Sequence, residues 1–253
     1  MKRIFATLAL LSITSLSIMA QTKVIAHRGY WNCEGSAQNS ITALQNSAKI
    51  GVYGSEFDVL ITRDGVLVVN HDNTINGIDI QKVDYSEIKD LKISNGETFP
   101  TLEEYLIEGK KHPRLKLILE LKPHYTKQAE DRAVEESMRL VKKHEIEEQV
   151  EFISFSKNIC EGFAALTSSP VSYLNGDIEP EEIAKTQIDG IDYHYKVFAE
   201  NRQWISSAAT SKIITNSWTV NDLGVAKALA EAGIDYLTTD YPEEILMLIQ
   251  RLK

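Results

Sequence analysis

The chain alternates between two apolar patterns. Short β-rich runs cover residues 24–26, 54–58, 117–121, 151–155, 171–174, 190–193, 212–216 and 235–238, and they read as strands. Between them, apolar positions recur three and four apart over 39–50, 101–109, 127–144, 157–166, 180–186, 202–208, 221–232 and 242–252, which predicts helices. Several starts carry capping chemistry. Thr101-Leu102-Glu103-Glu104 forms a capping box, Ser156 suits an N-cap, and Pro180 and Pro242 fall in first turns that tolerate proline. Strands alternating with helices predict a parallel sheet, because each return to the same end needs a crossover. Eight such units match a closed (β/α)8 TIM barrel. An open doubly wound sheet is the alternative, but no glycine-rich phosphate loop follows the first strand. A further run at 66–70, set off by Arg63-Asp64-Gly65, reads as a short hairpin extension of the second strand.

The first twenty residues stand outside this rhythm. Lys2 and Arg3 precede an apolar and hydroxyl stretch from Ile4 to Met19, and Ala20 closes it. That is the layout of a secretory signal peptide cleaved between Ala20 and Gln21. The stretch is short for a membrane span, and no cysteine follows it to carry a lipid. Residues 21–253 are therefore expected to be one exported barrel domain, periplasmic or secreted, with no stable membrane anchor. The formal charge is −9 and becomes −11 once Lys2 and Arg3 are lost. Such a surface repels nucleic acid, so no nucleic-acid partner is expected. Cys33 and Cys160 fall on nearly opposite sides of an eight-stranded ring. A disulfide needs Cα atoms within about 7 Å, so both are expected to be free thiols.

In a barrel, reactive side chains come from the C-terminal ends of the strands. His27 and Arg28 close the first strand, and Glu56 and Asp58 lie in the second. His71 and Asp72 end the hairpin, Glu120 and Lys122 close the third strand, and Asp240 follows the eighth. Residues two apart in a strand share a face, so Glu56, Asp58 and Glu120 should converge at the mouth beside Lys122. Three carboxylates repel one another unless something positive sits among them. One lysine is too little, and a hard divalent cation, Mg2+ or Ca2+, suits an all-oxygen set. The ordinary readings of each motif are blander. A lone Glu-x-Asp is usually one paired and one solvated carboxylate, and Glu-x-Lys is usually a salt bridge. His112 and His144 read as solvated, His194 could line the mouth, and His124 could support the site. His27 and His71 stand apart because both end strands on the carboxylate side. With the cation, Arg28 and Lys122 would neutralise a phosphate. One imidazole would take a proton from the nucleophile while the other protonates the leaving alkoxide. The kit points to a phosphodiester.

His27-Arg28-Gly29, Gln38-Asn39-Ser40, Glu56-Phe57-Asp58, Thr62-Arg63-Asp64-Gly65, His71-Asp72, Glu120-Leu121-Lys122, Ser154-Phe155, Trp218-Thr219-Val220-Asn221 and Thr239-Asp240-Tyr241-Pro242 together resemble the glycerophosphodiester phosphodiesterase family. The resemblance implies a TIM barrel that hydrolyses small glycerophosphodiesters, such as glycerophosphocholine, to glycerol 3-phosphate with a divalent metal. It implies His27 and His71 as the acid/base pair and Glu56, Asp58 and Glu120 as metal ligands. Arg28 and Lys122 would hold phosphate oxygens, and Trp218 would wall the pocket. The family usually has Pro-Glu-Asn-Thr where this chain has Ala37-Gln38-Asn39-Ser40. The segment between Asp72 and Thr101 is short beside family members with an inserted domain there, which implies an open mouth tolerant of varied alcohols. Three rivals remain. A lysophospholipase D-like enzyme would need an apolar trough, which Tyr30 and Trp31 could supply. A non-catalytic secreted binding protein is suggested by Gln38 alone. A sugar-acting barrel using Glu56 and Glu120 leaves the histidines, Arg28 and Lys122 unexplained.

Overall fold

Residues 21–252 are described by the computed structural model; the expected leader lies outside them. The first half of the chain gives β1 (Lys23–Ala26), α1 (Ile41–Ile50), β2 (Gly54–Ile61), β3 (Leu67–Val69), β4 (Thr74–Ile75), β5 (Ile78–Asp79), α2 (Leu102–Lys110), β6 (Lys116–Leu121) and α3 (Lys127–Lys143). There follow β7 (Val150–Ser154), α4 (Lys157–Ala164), β8 (Val171–Tyr173), α5 (Pro180–Ile183), β9 (Gly190–His194), α6 (Tyr195–Glu200) and α7 (Trp204–Ser211). The chain ends with β10 (Ile214–Trp218), α8 (Leu223–Glu231), β11 (Tyr236–Thr239) and α9 (Pro242–Arg251). Strands β1, β2 and β6 to β11 run parallel, and β1 pairs with both β2 and β11, so the sheet closes into the expected TIM barrel. β3 folds back antiparallel on β2, with Val59 opposite Val69, as the hairpin pattern predicts.

Three apolar clusters hold the ring. The largest lies between strands and outer helices and includes Phe57, Val59, Leu119, Phe152 and Ile191. A second, of Leu60, Val68, Ile75, Ile80 and Ile88, gives the 73–100 excursion its own small core. The third sits inside the barrel, where Ile25, Ile118 and Ile153 of three strands meet Leu174, just past β8. β2 is buried along its whole length, because a parallel barrel strand faces the interior on one side and helices on the other. Ser40, Thr101, Ser156 and Asp222 each accept a hydrogen bond from a backbone N–H of the first turn, Thr101 and Ser156 as the sequence pattern predicts.

Two predicted boundaries move because of a left-handed residue, and one helix is added. The run at 212–216 becomes a strand only from Ile214, because Lys212 takes the left-handed cap of α7 with φ 59°. The shift carries the strand on to Trp218. The first helix begins at Ile41, not residue 39, because Asn39 is left-handed at φ 61° and Ser40 is the cap. α6 was not anticipated; six residues are too few to show a helical period. No helix among the described residues is long and apolar enough to cross a membrane. Cys33 is half-buried, Cys160 is buried, and both are free thiols.

Candidate active site

The site begins with the turn after β1. Arg28 and Gly29 are both left-handed, at φ 56° and 75°. Glycine is required at 29, since a Cβ there would lie 2.7 Å from that of Ala43 on α1. The turn aims backbone and side chain of Arg28 at the same place. Its N–H donates to Glu56 Oε2 at 2.7 Å, its Nη1 donates to Gln38 Oε1 at 2.7 Å, and its Nε lies 3.7 Å from Asp58 Oδ2. The left-handed turn at Asn39 serves a similar end. The Asn39 amide donates to Asp58 Oδ2 at 2.9 Å and accepts from the Asp58 N–H at 3.1 Å.

Glu56, Asp58 and Glu120 meet as the strand spacing predicts. Asp58 and Glu120 are register partners on β2 and β6, and all three carboxylates bring oxygens within 4.8 Å of one another. They are 3%, 1% and 8% exposed, so water does not screen their repulsion. Burial, with Asp58 and Glu120 as neighbours, holds Glu56 well above its ordinary value. Burial and Asp58 push Glu120 up to about 7. Burial would also raise Asp58, but Lys122, His71, the Asn39 amide and Arg28 outweigh it and hold it low. Lys122 Nζ bonds Asp58 Oδ1 at 3.2 Å. It also lies 2.8 Å from Glu120 Oε1, a charge contact outside hydrogen-bonding geometry. Despite burial, these two anions hold Lys122 above its usual value. Glu56 Oε1 is buried with no partner at all. An orphaned carboxylate oxygen beside two more carboxylates is the donor set a hard divalent cation takes. The residues fit such an ion.

Two imidazoles border this cluster. His27 Nδ1 pairs with Asp240 Oδ1 at 2.8 Å. Asp240 also accepts from Asn221 Nδ2 at 2.7 Å and Trp31 Nε1 at 3.2 Å. Burial works against its charge, but these bonds and His27 hold its carboxyl below the ordinary range. His71 Nδ1 pairs with Asp72 Oδ1 at 2.8 Å. Burial, aided by Lys122 and Arg28, outweighs Asp58 and Asp72 and lowers His71. With Nδ1 engaged on both rings, Nε2 is the atom each has left for a reactant.

A cleft of about 220 Å³ unites His27, Arg28, Glu56, His71, Glu120 and Lys122, with Trp218 and Phe155 as walls. Trp218 is fixed by its Nε1, which donates to the carbonyl of Asp192 at 2.9 Å, and by edge-on contact with Phe155. The interior cluster of Ile153 and Leu174 gives the cleft its apolar floor. All eight predicted site residues therefore gather at one barrel mouth; Asp58 does so as a partner of Arg28, Asn39 and Lys122.

One lining residue escaped the sequence reading. Asp192 on β9 is 1% exposed, faces the cleft and has Oδ1 unpartnered. Burial, with Glu120 near, keeps it well above the ordinary carboxylate range. Its signal was an aspartate inside an apolar strand, Gly190-Ile191-Asp192-Tyr193. Among the other histidines, His124 accepts from the Ile61 N–H at 3.1 Å, finishing β2. Burial lowers it to about 4. His194 stands edge-on to Trp218. His112 and His144 are not solvated as expected but half-buried, 3.3 Å from Glu108 and 2.9 Å from Glu103. Tyr30 and Trp31 are each anchored by a carboxylate, the Tyr30 hydroxyl donating to Glu243 at 2.9 Å and Trp31 Nε1 to Asp240 at 3.2 Å.

Comparison with known proteins identifies the family. Residues 27–244 fit the model of the Glycerophosphoryl diester phosphodiesterase family. A solved glycerophosphodiester phosphodiesterase from Parabacteroides distasonis is 45% identical, with TM-score 0.91, over 92% of this chain and 99% of that one. A phosphodiesterase from Oleispira antarctica, solved in complex with the product sn-glycerol-3-phosphate, is 25% identical, with TM-score 0.78, over 91% and 97%. The curated glycerophosphodiester phosphodiesterase of Caldanaerobacter subterraneus subsp. tengcongensis is 29% identical over 253 residues, 91% of this chain and 99% of that protein.

Proposed function

The chain belongs to the glycerophosphoryl diester phosphodiesterase family, and from that membership we propose that it hydrolyses glycerophosphodiesters, such as glycerophosphocholine and glycerophosphoethanolamine, to sn-glycerol 3-phosphate and an alcohol. The observation that carries the reading is the meeting of two carboxylate-oriented histidines, a buried carboxylate triad and two cations around one cleft. Glu56, Asp58 and Glu120 would hold one divalent ion, Mg2+ or Ca2+. When bound, it would supply positive charge against the phosphate and the charge that develops there. Arg28 and Lys122 bind non-bridging phosphate oxygens and orient the ester between the histidines. One imidazole Nε2 takes a proton from the attacking oxygen as the new P–O bond forms; that oxygen is water's, or the glycerol hydroxyl's with water then opening the cyclic phosphate. The other gives a proton to the alkoxide as the old bond breaks, so the alcohol leaves neutral. Asp240 and Asp72 hold the rings in the tautomer that keeps Nε2 toward the ester. Trp218 keeps bulk water from one side.

We assign the protein outside the cytoplasm on its leader alone, and cell fractionation would check this. The catalytic test is glycerol 3-phosphate release from glycerophosphocholine by the chain starting at Gln21, with Mg2+, with Ca2+ and with EDTA, beside His27→Ala. Release that needs a cation and vanishes in the variant is expected. No release by the folded protein with either cation would return weight to a lipid substrate or a non-catalytic role.

A further inference from the structure

A second concavity lies against the catalytic cleft. It is a groove of about 660 Å³ between the loop after β1 and the hairpin at 92–98. The two walls are tied where Asn95 donates to the Gly35 carbonyl at 3.4 Å. The groove's inner end abuts the site at three points. Gln38 bonds Arg28, Trp31 bonds Asp240, and Asn70 precedes His71.

The two chambers differ in size and chemistry. The inner cleft is small, partly apolar, and carries Glu56, Glu120 and Asp192. The groove is about three times larger and none of its lining side chains is a carboxylate. Amides come from Asn32, Gln38, Asn70 and Asn76, and hydroxyls from Ser36 and Ser94. Lys92 is its one charged lining residue, and Trp31 and Phe99 add flat apolar surface. The orientation of Gln38 is settled by chemistry. A guanidinium only donates, so the amide oxygen must face Arg28, leaving Nε2 to donate elsewhere.

A phosphodiester held at Arg28 and Lys122 has two arms. The glyceryl arm is constant and compact, which suits the enclosed chamber. The alcohol arm varies, which suits the open one. A quaternary amine would seek carboxylates or an aromatic cage, and Lys92 would repel it. A ring of hydroxyls would find donors and acceptors in the amides and a stacking face in Trp31. On the proposed phosphodiesterase reading, we propose that this groove is the leaving-alcohol subsite and that it takes an uncharged polyol, such as a cyclitol or glycerol, over a cationic amine. The open mouth admits many alcohols, and the lining ranks them.

The test is kcat and KM for glycerophosphoinositol and glycerophosphocholine under one cation condition, for wild type, Lys92→Glu and Asn32→Asp. The wild type is expected to favour the inositol ester by about tenfold in kcat/KM, the worth of one or two hydrogen bonds. The difference should lie in KM, with similar kcat. Either substitution puts a carboxylate on an exposed wall, one on each side, and should shift the ratio toward choline by about fivefold or more. Equal or greater efficiency on the choline ester, or a ratio unmoved by both variants, overturns the subsite while leaving the phosphodiesterase intact. No release from either ester overturns both.

Discussion

The two ends of the barrel interior each bury acidic groups, and they treat them in opposite ways. At the N-terminal end, Glu151 is 7% exposed and accepts from the Tyr53 hydroxyl. Tyr53 stacks on Tyr236 at 5.0 Å, and Lys23 lies 4.4 Å over the Tyr53 ring. Burial still raises Glu151, but Tyr53, Lys116 and Lys23 pull against it. At the C-terminal end, Asp58 and Glu120 share one lysine, and Glu56 Oε1 and Asp192 Oδ1 have no partner. A satisfied polar cluster closes a barrel; an unsatisfied one reserves room for something the chain does not contain.

The comparison breaks most readily at the histidines. His71→Ala should lower kcat about 10²- to 10⁴-fold with the thermal midpoint near that of wild type; a loss below about tenfold would remove His71 from the chemistry. Next in size is the response to a cation. At a concentration one hundred times its Kd, Mg2+ or Ca2+ should stabilise the wild type by about 2.7 kcal/mol. Calorimetry should show that gain lost in Glu56→Gln and kept in Glu151→Gln; equal gains in both would put the cation elsewhere. Tyr53→Phe should cost about 1–3 kcal/mol in urea unfolding, because Glu151 loses its donor, with kcat unchanged. A stable Tyr53→Phe protein would make the lower cluster ornamental.

The smallest effect is a pH dependence in the metal-free protein. Glu120 sits at about 7 when folded and near 4.5 when unfolded, so between those values the folded state holds the proton the unfolded chain has released. Its stability contribution therefore falls as pH rises through that window. Glu120→Gln cannot release a proton, so its stability relative to wild type should improve steadily from pH 4.5 to 7. A constant gap between the two proteins would remove Glu120 from the frustrated set.

Much of this was legible before folding was considered. The eight strand runs, the hairpin after β2 and the facing pairs Glu56/Asp58 and Glu120/Lys122 follow from periodicities that depend only on backbone geometry. What escaped depends on the path of the chain in space. The left-handed turns at Asn39 and Lys212 moved two boundaries. Asp192 carried only the signal of an aspartate inside an apolar strand, which does not say that β9 aims it at the cleft. Asp240 was placed at the mouth, but its bond to His27 spans 213 positions and no sequence window contains both.

That bond also concerns how the ring is closed. His27 stands near the start of the barrel, on the strand that pairs with both β2 and β11. Its partner Asp240, and the Asn221 that donates to that carboxylate, lie on the loops just past β11 and β10. The imidazole therefore gains its partner only when β11 closes the ring against β1. An unclosed sheet would leave His27 and Asp240 apart, so their pairing reports that the barrel has closed.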